Sequence, residues 1–282
     1  MNESKFSEHR VLIIGVLIIV IIFGYLILKG GNIVSTTKSS NTTSSTGEKP
    51  APANLISAIA AVPQSVLNQI GVGSANVLPK HISAPSLVSQ GKPEVFYQGA
   101  EFCPYCATER WAMVQALSRF GTFSKLGETH SSTTDVYPDT KTLDFYQSVY
   151  TSPYITFVPL EMYTNIASAS GGYTVLQTPT SSENALINKF NNPPYLPSNE
   201  AGSIPFIDFG NQFLIDGATY SPTVLQGLSR HQIVADLTNP NSKVAKGVDG
   251  AANTITAAIC KLTNNQPTTV CNSLIQAIEK EE

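Results

Sequence analysis

Charge is what this 282-residue chain has least of: 17 Lys and Arg against 20 Asp and Glu, for a net charge of −3. So small a negative balance gives no electrostatic footing for nucleic acid. Cysteine is scarce too. Four residues form two close pairs, 103/106 and 260/271; an even count with local spacing suits an oxidising compartment, yet a chain this long is no disulfide scaffold. Metal chemistry has little to draw on. The second cysteine pair lacks Cys-x-x-Cys spacing and no His-x-x-x-His lies nearby, which counts against zinc, and no His or Met is suitably spaced from Cys103 and Cys106 for copper. No soluble cofactor is implied. Ser, Thr, Asn and Tyr replace the missing charge, a composition that fits a surface facing the outside of a cell.

One long hydrophobic run is present, Val11 to Leu28, interrupted only by Gly15, Gly24 and Tyr25. At about 1.5 Å per residue it spans roughly 27 Å, close to a bilayer's hydrocarbon core. A cleaved signal peptide is the rival, but Lys29-Gly30-Gly31-Asn32 offers no small-x-small cleavage site. The reading is therefore a cytoplasmic tail at 1–10, a single-pass transmembrane anchor at 11–28 and a linker at 29–53. Flanking charge leaves orientation open, since Lys5 and Arg10 nearly balance Lys29 and Lys38. The cysteines and the linker favour a soluble domain outside the cell membrane. That linker is Ser/Thr-rich and then Pro-rich, too polar to bury enough surface to offset its ordering entropy. Asn41-Thr42-Thr43 within it is a glycosylation sequon, a weak pattern in a Thr-rich tract.

The chemistry concentrates between Glu94 and Phe120. Val95, Phe96 and Tyr97 predict a short strand, and Gly99 ends it. Cys103-Pro104-Tyr105-Cys106 follows where a helix begins, with Pro104 suited to the first helical position. Ala107, Trp111, Val114 and Leu117 recur at helical spacing as a buried stripe, with Glu109, Arg110, Gln115 and Arg119 between them. Cys103 then caps a helix, where unpaired N–H groups and the helix dipole favour a thiolate. Cys106, one turn on, is less exposed. An accessible nucleophile with a shielded resolving thiol is what thiol–disulfide exchange requires. An inert structural disulfide and half of a zinc site are the alternatives. Glu101 reads as a solvated loop carboxylate that opposes the thiolate if it lies near. His81, His130 and His231 read as loop, strand-end and helix-surface residues.

Cys-Pro-Tyr-Cys between a strand and its helix resembles the thioredoxin superfamily. A second mark agrees: Ile204-Pro205 leads the strand Phe206 to Phe209, and Gly210-Asn211 turns into a further strand, Gln212 to Ile215. The resemblance implies a cis Ile204–Pro205 peptide facing the reactive cysteine, with Ile204 and Pro205 contacting a bound peptide. The superfamily's buried Asp, six residues before the first cysteine, is replaced here by Tyr97, so no internal carboxylate is expected for the resolving thiol's proton. Gly-Lys-Pro-Glu-Val (91–95), Glu-Phe-Cys-Pro-Tyr-Cys-Ala (101–107), Glu-Arg-Trp-Ala (109–112) and Leu-Ser-Arg-Phe-Gly-Thr-Phe (117–123) look like an archaeal family of membrane-anchored thioredoxin-fold proteins, domain of unknown function 929. That family implies a fold and no established reaction.

The expected fold class is α/β, thioredoxin-like, with an N-terminal transmembrane helix and a C-terminal helical hairpin. Residues 54–91 form an N-terminal extension with one or two short helices over Leu55–Ile70, starting at Pro63 and stopping at Gly71. The thioredoxin-like domain covers 92–239, its second strand at Lys125–Ser131. An insert at about 132–200, between that strand and Ile204-Pro205, carries strands at Leu143–Tyr150 and Tyr154–Tyr163 and a helix at Ser182–Phe190. Its aromatics read as packing. Ser221-Pro222 starts a helix running towards Leu237, in one or two pieces. Residues 240–282 form a hairpin stapled by a Cys260–Cys271 structural disulfide.

The function expected is a membrane-anchored, extracytoplasmic thiol–disulfide oxidoreductase, an oxidase or isomerase with Cys103 and Cys106 as catalytic residues. Its partners would be exported protein thiols or disulfides and a membrane redox partner that recycles it. The alternative is a non-catalytic cell-surface binding or structural module on the same fold.

Overall fold

The computed structural model describes residues 49–280. The tail, the anchor at 11–28, most of the linker and the sequon lie outside the described residues. Among those described, no helix is long and apolar enough to cross a membrane.

The chain opens with β1 (Lys49–Pro50), α1 (Ala53–Ala60) and α2 (Gln64–Ile70). Pro63 precedes α2, and Gly71, at φ +58°, ends it. Short strands β2 (Lys80–His81) and β3 (Val88–Ser89) lead to β4 (Lys92–Gly99) and α3 (Pro104–Leu117). A long hairpin follows, β5 (Thr122–His130) and β6 (Lys141–Thr151), then β7 (Thr156–Glu161), β8 (Tyr163–Ala167), β9 (Tyr173–Val175) and α4 (Ser181–Phe190). After these come β10 (Phe206–Phe209), β11 (Phe213–Asp216), a 3₁₀ turn (Pro222–Val224), α5 (Arg230–Leu237), α6 (Lys243–Leu262) and α7 (Ser273–Ile278). The fold is mixed α/β.

A six-stranded sheet organises it. β4 is central: β10 pairs antiparallel on one side and β7 parallel on the other, while β3 covers its first two residues. β11 and β2 extend the β10 side. Strand alternation divides the apolar residues cleanly. Val95, Tyr97, Ile207, Phe209 and Ile215 join the main core, which also takes α3 and α6. Phe96, Phe206, Leu214 and Leu160 point the other way, into a smaller core closed by Phe190 of α4 and Leu196. β1, β5 and β6 form a separate sheet, and β8 and β9 a two-stranded ribbon.

Three expectations are corrected here. The strand placed at 125–131 exists, but it pairs with β6 outside the central sheet; the parallel partner of β4 is β7, reached only after the β5–β6 hairpin. The extra segment thus begins before the second core strand, and part of the presumed insert is core. The end of the polar linker is also not free, because Lys49–Pro50 pairs with Gly127 and Glu128 of β5. Finally, α3 has no polar face: thirteen of its fourteen residues are buried. Of the insert's aromatics, Phe145 lies in the core with Phe157, Tyr150 and Tyr154 against it, whereas Tyr163 is exposed.

At the C-terminus α6 packs against α7, which begins only at Ser273. Cys260, buried in α6, bonds to Cys271 across a turn through Pro267, at a Cα–Cα distance of 5.7 Å. With an eleven-residue separation, replacing both cysteines by alanine is expected to cost about 2–3 kcal/mol of stability, read as a lower denaturant midpoint.

Three buried carboxylates tie the helices and sheet together. Burial pushes Glu109, Asp208 and Asp249 up to about 7 each, partly offset by hydrogen bonds from Thr219, Asn211 and Gln115. The native state therefore holds protons that the unfolded chain gives up near pH 4, so stability falls as pH rises from about 4 through about 7. The thermal midpoint should be several degrees higher at pH 5 than at pH 8, and Glu109→Gln should flatten that dependence. A midpoint that rises over this range would refute the assignment.

Candidate active site

The site lies where β4 hands the chain to α3. Position 99 takes glycine because the Tyr97 side chain occupies the space a Cβ would need. The Ala100 carbonyl then accepts from Cys103 N at 3.3 Å and from Arg110 Nη2 at 2.8 Å. This fixes the turn from both ends. Cys103 is the N-cap of α3, in extended conformation, and Pro104 occupies the first helical position.

Cys103 Sγ accepts from Cys106 N at 3.1 Å, taking up one of the unpaired donors of the helix start. The same sulfur lies 3.7 Å from the Ile204 carbonyl oxygen, to which its thiol donates. Ile204–Pro205 is cis. Cys103 and Cys106 are free thiols. Burial would raise the Cys103 pKa, but hydrogen bonds from the Cys106 side chain and backbone, the Arg110 guanidinium and the Tyr105 backbone together bring it below the ordinary thiol value. Burial and the adjacent Cys103 sulfur push Cys106 well above it. Two chemically identical side chains, three residues apart, are thus made unlike.

Cys103 is more enclosed than the sequence predicts, at 5% exposed against 0% for Cys106. Aromatic rings gather on the residues beside it in the chain and on the segments they meet. Phe102 stacks on Tyr173 of β9 at 4.1 Å and contacts Tyr163 at 6.3 Å; Tyr105, 41% exposed, meets Tyr137 edge-on at 5.9 Å. Val136, Ile166 and Val175 are exposed on the same loop and ribbon. Glu101 is not solvated: it is buried, with its Oε2 accepting from Asn165 N at 3.1 Å.

Beneath the thiols lies what the sequence reading excluded, an internal carboxylate. Arg110 donates to both oxygens of Glu161 at 2.7 Å, and both side chains are fully buried. Asp144 of β6 stands close enough for Glu161 to repel it; burial first, and that repulsion second, push its pKa well up. Phe102, Tyr137, Tyr173, Arg110 and Glu161 are the site residues that motif reading missed. Arg110 alone carried a signal, since seven residues after Cys103 is two helical turns along one face. Trp111 is core as expected, its Nε1 donating to the Lys141 carbonyl. His81 and His231 are exposed, and His130 ends β5 beside Asp139. Cys260 and Cys271 form their disulfide and take no part in the site as described. Among the described residues, no group of three or more His, Cys, Asp or Glu side chains is arranged to hold a metal ion.

Fold and site together define a mixed α/β protein with a helix-capping dithiol opposite an Ile-Pro peptide. The chain belongs to the family described as Domain of unknown function (DUF929), whose model matches residues 79–261, from the start of β2 nearly to the end of α6. No curated protein and no solved structure matches it.

The asymmetry between the thiols is directly measurable. With iodoacetamide, the native protein should be alkylated at Cys103 with a rate that levels off below the pH of an ordinary cysteine, while Cys106 stays unmodified until the chain unfolds. Equal labelling of both, read by mass spectrometry, would contradict this geometry.

Proposed function

We propose that this protein is a thiol–disulfide oxidoreductase with a thioredoxin-like core, held at the cell membrane by residues 11–28 and acting outside the cytoplasm on exported proteins. The observation that carries the reading is the placement of Cys103 Sγ, bonded to the Cys106 amide at a helix start and 3.7 Å from the Ile204 carbonyl. The topology supports the thioredoxin-like assignment: a parallel pair of strands bridged through α3, followed by Pro205 and two antiparallel strands.

As an oxidase, the Cys103–Cys106 disulfide is attacked at Cys103 Sγ by a substrate thiolate. The Cys106 sulfur leaves with the bonding pair and takes up a proton, consistent with its raised pKa. A second substrate thiolate then attacks the substrate sulfur of the mixed disulfide. Cys103 leaves as a thiolate, and the substrate departs with a new disulfide. Two electrons have passed to the Cys103/Cys106 pair, and a membrane redox partner would remove them. A lowered pKa makes Cys103 the better leaving group, which favours this direction and isomerisation over reduction. No soluble cofactor takes part. The exposed aromatic rim would contact the substrate chain on either side of its cysteine.

A second reading, a non-catalytic surface module, has one observation in its favour, the 5% exposure of Cys103. Trapping separates the two. The purified full-length Cys106→Ala protein, incubated with insulin, should form a covalent adduct through Cys103 that dithiothreitol releases. Cys103→Ala should form none. Failure of the Cys106→Ala protein to form the adduct, with Cys103 still open to iodoacetamide, would sink the oxidoreductase reading.

A further inference from the structure

Cys103, Cys106 and Arg110 stand at i, i+3 and i+7 of one helical start, so they share a face. Because α3 is enclosed on all sides, Arg110 cannot extend its guanidinium to water. It is held instead by three bonds, two to Glu161 and one to the Ala100 carbonyl from which the cysteine turn also hangs. Glu161 is itself placed by the strand register opposite Gly99 and by the Gln177 side chain, which accepts from its backbone N–H at 2.8 Å. The pair therefore sits at the ends of β4 and β7, directly behind the thiols. Arg110 Nη1 is buried with no hydrogen-bond partner among the described residues.

A buried ion pair is poor economy as a stabiliser, since apolar residues of similar volume commonly serve as well or better. Its value must be sought in the field it makes. The groups facing it are Tyr97 from β4, Glu101 from the loop, Asp144 from β6, Glu161 from β7 and the two cysteines of α3. Among these, Arg110 attracts charge on both sulfurs, whereas Glu161 opposes it at Cys106. The cation is the nearer influence on Cys103.

We propose that Arg110, fixed by Glu161, is a positioning residue for the dithiol: the buried counter-charge that favours negative charge on Cys103 over Cys106 and draws the Cys103–Cys106 pair towards an oxidising potential. The proposal rests on the oxidoreductase reading for its purpose, though not for its test. In the reduction that matters, a substrate dithiol loses two electrons and becomes a disulfide, the Cys103–Cys106 bond breaks, Cys106 keeps a proton, and Cys103 keeps its electron pair beside Arg110. Whatever stabilises that last charge stabilises the reduced form.

Removing the cation and neutralising the anion must act in opposite directions. In the full-length protein, Arg110→Met should raise the Cys103 pKa and lower its equilibrium reduction by glutathione by roughly tenfold, one pKa unit's worth. Glu161→Gln, which keeps one acceptor oxygen for Arg110 and removes the opposing charge, should lower the pKa and make the disulfide easier to reduce. Arg110→Met/Glu161→Met leaves no unpaired charge and should behave like Arg110→Met, which guards against misfolding of the single variant. The readouts are the pH profile of Cys103 alkylation and the equilibrium with glutathione. Shifts of the same sign in both single variants, or no shift in either, would overturn the proposal. Opposed shifts in alkylation, with no glutathione or insulin exchange in the parent protein, would uphold the counter-charge and sink the oxidoreductase reading instead.

Discussion

Everything near the thiols follows from one constraint: α3 lies inside the molecule with its polar side chains still attached. A buried donor or acceptor without a partner costs about 1–3 kcal/mol, and an unpaired charge costs more. The charged and amide side chains of α3 therefore each recruit an element. Glu109 accepts from the backbone and hydroxyl of Thr219, Arg110 binds Glu161 of β7, and Gln115 donates to Asp249 of α6 at 2.6 Å. Just beyond the helix, Arg119 reaches Asn253 and Thr256 of the same α6. The surrounding chain also closes on the helix by bonding its carbonyls, through Thr142 to Ala107, Tyr220 to Thr108 and Tyr150 to Leu117. A helix held from so many directions has little freedom to tilt. Cys103 inherits that rigidity, and its distance from Ile204 is set by it.

Local signals in the sequence carried the parts of this arrangement that are local in the structure. Gly99, Pro104 and the Cys-x-x-Cys spacing sufficed for the strand, the helix start and the capping thiol. Pro63 and Gly71 bounded α2, and the Cys260–Cys271 bridge spans a turn short enough to read directly. What failed was long-range. Arg110 meets Glu161 51 residues away, and Gln115 meets Asp249 134 residues away. No periodicity announces such pairs, so a helix with apolar residues at helical spacing and charges between them read as half-exposed. The hairpin β5–β6 misled for a related reason. Thr122–His130 has strand composition, but nothing in it says which sheet it will join; register depends on partners elsewhere. Glu101 and the end of the linker, both taken as solvated, are likewise buried or paired by residues distant in the chain.

The enclosure of Cys103 has a chemical benefit as well as a cost. An exposed cysteine reacts with any thiol or oxidant that diffuses to it. A sulfur only 5% exposed is harder to reach, and limited access disfavours bulky folded surfaces more than a flexible segment.

Burial also decides how far a single charge reaches. In water, a guanidinium several ångströms from a thiolate is largely screened; inside a low-dielectric helix environment the same separation is worth several times more. The fold does not need to bring a counter-ion into contact with Cys103, and contact would cover the sulfur. It places Arg110 two turns behind instead, anchored by Glu161 so that the charge cannot swing away. The Ile204 carbonyl faces the sulfur on one side, the guanidinium lies behind, and Cys106, wholly buried, is the thiol that holds its proton more tightly. The division between the two cysteines is therefore a property of depth along one helix.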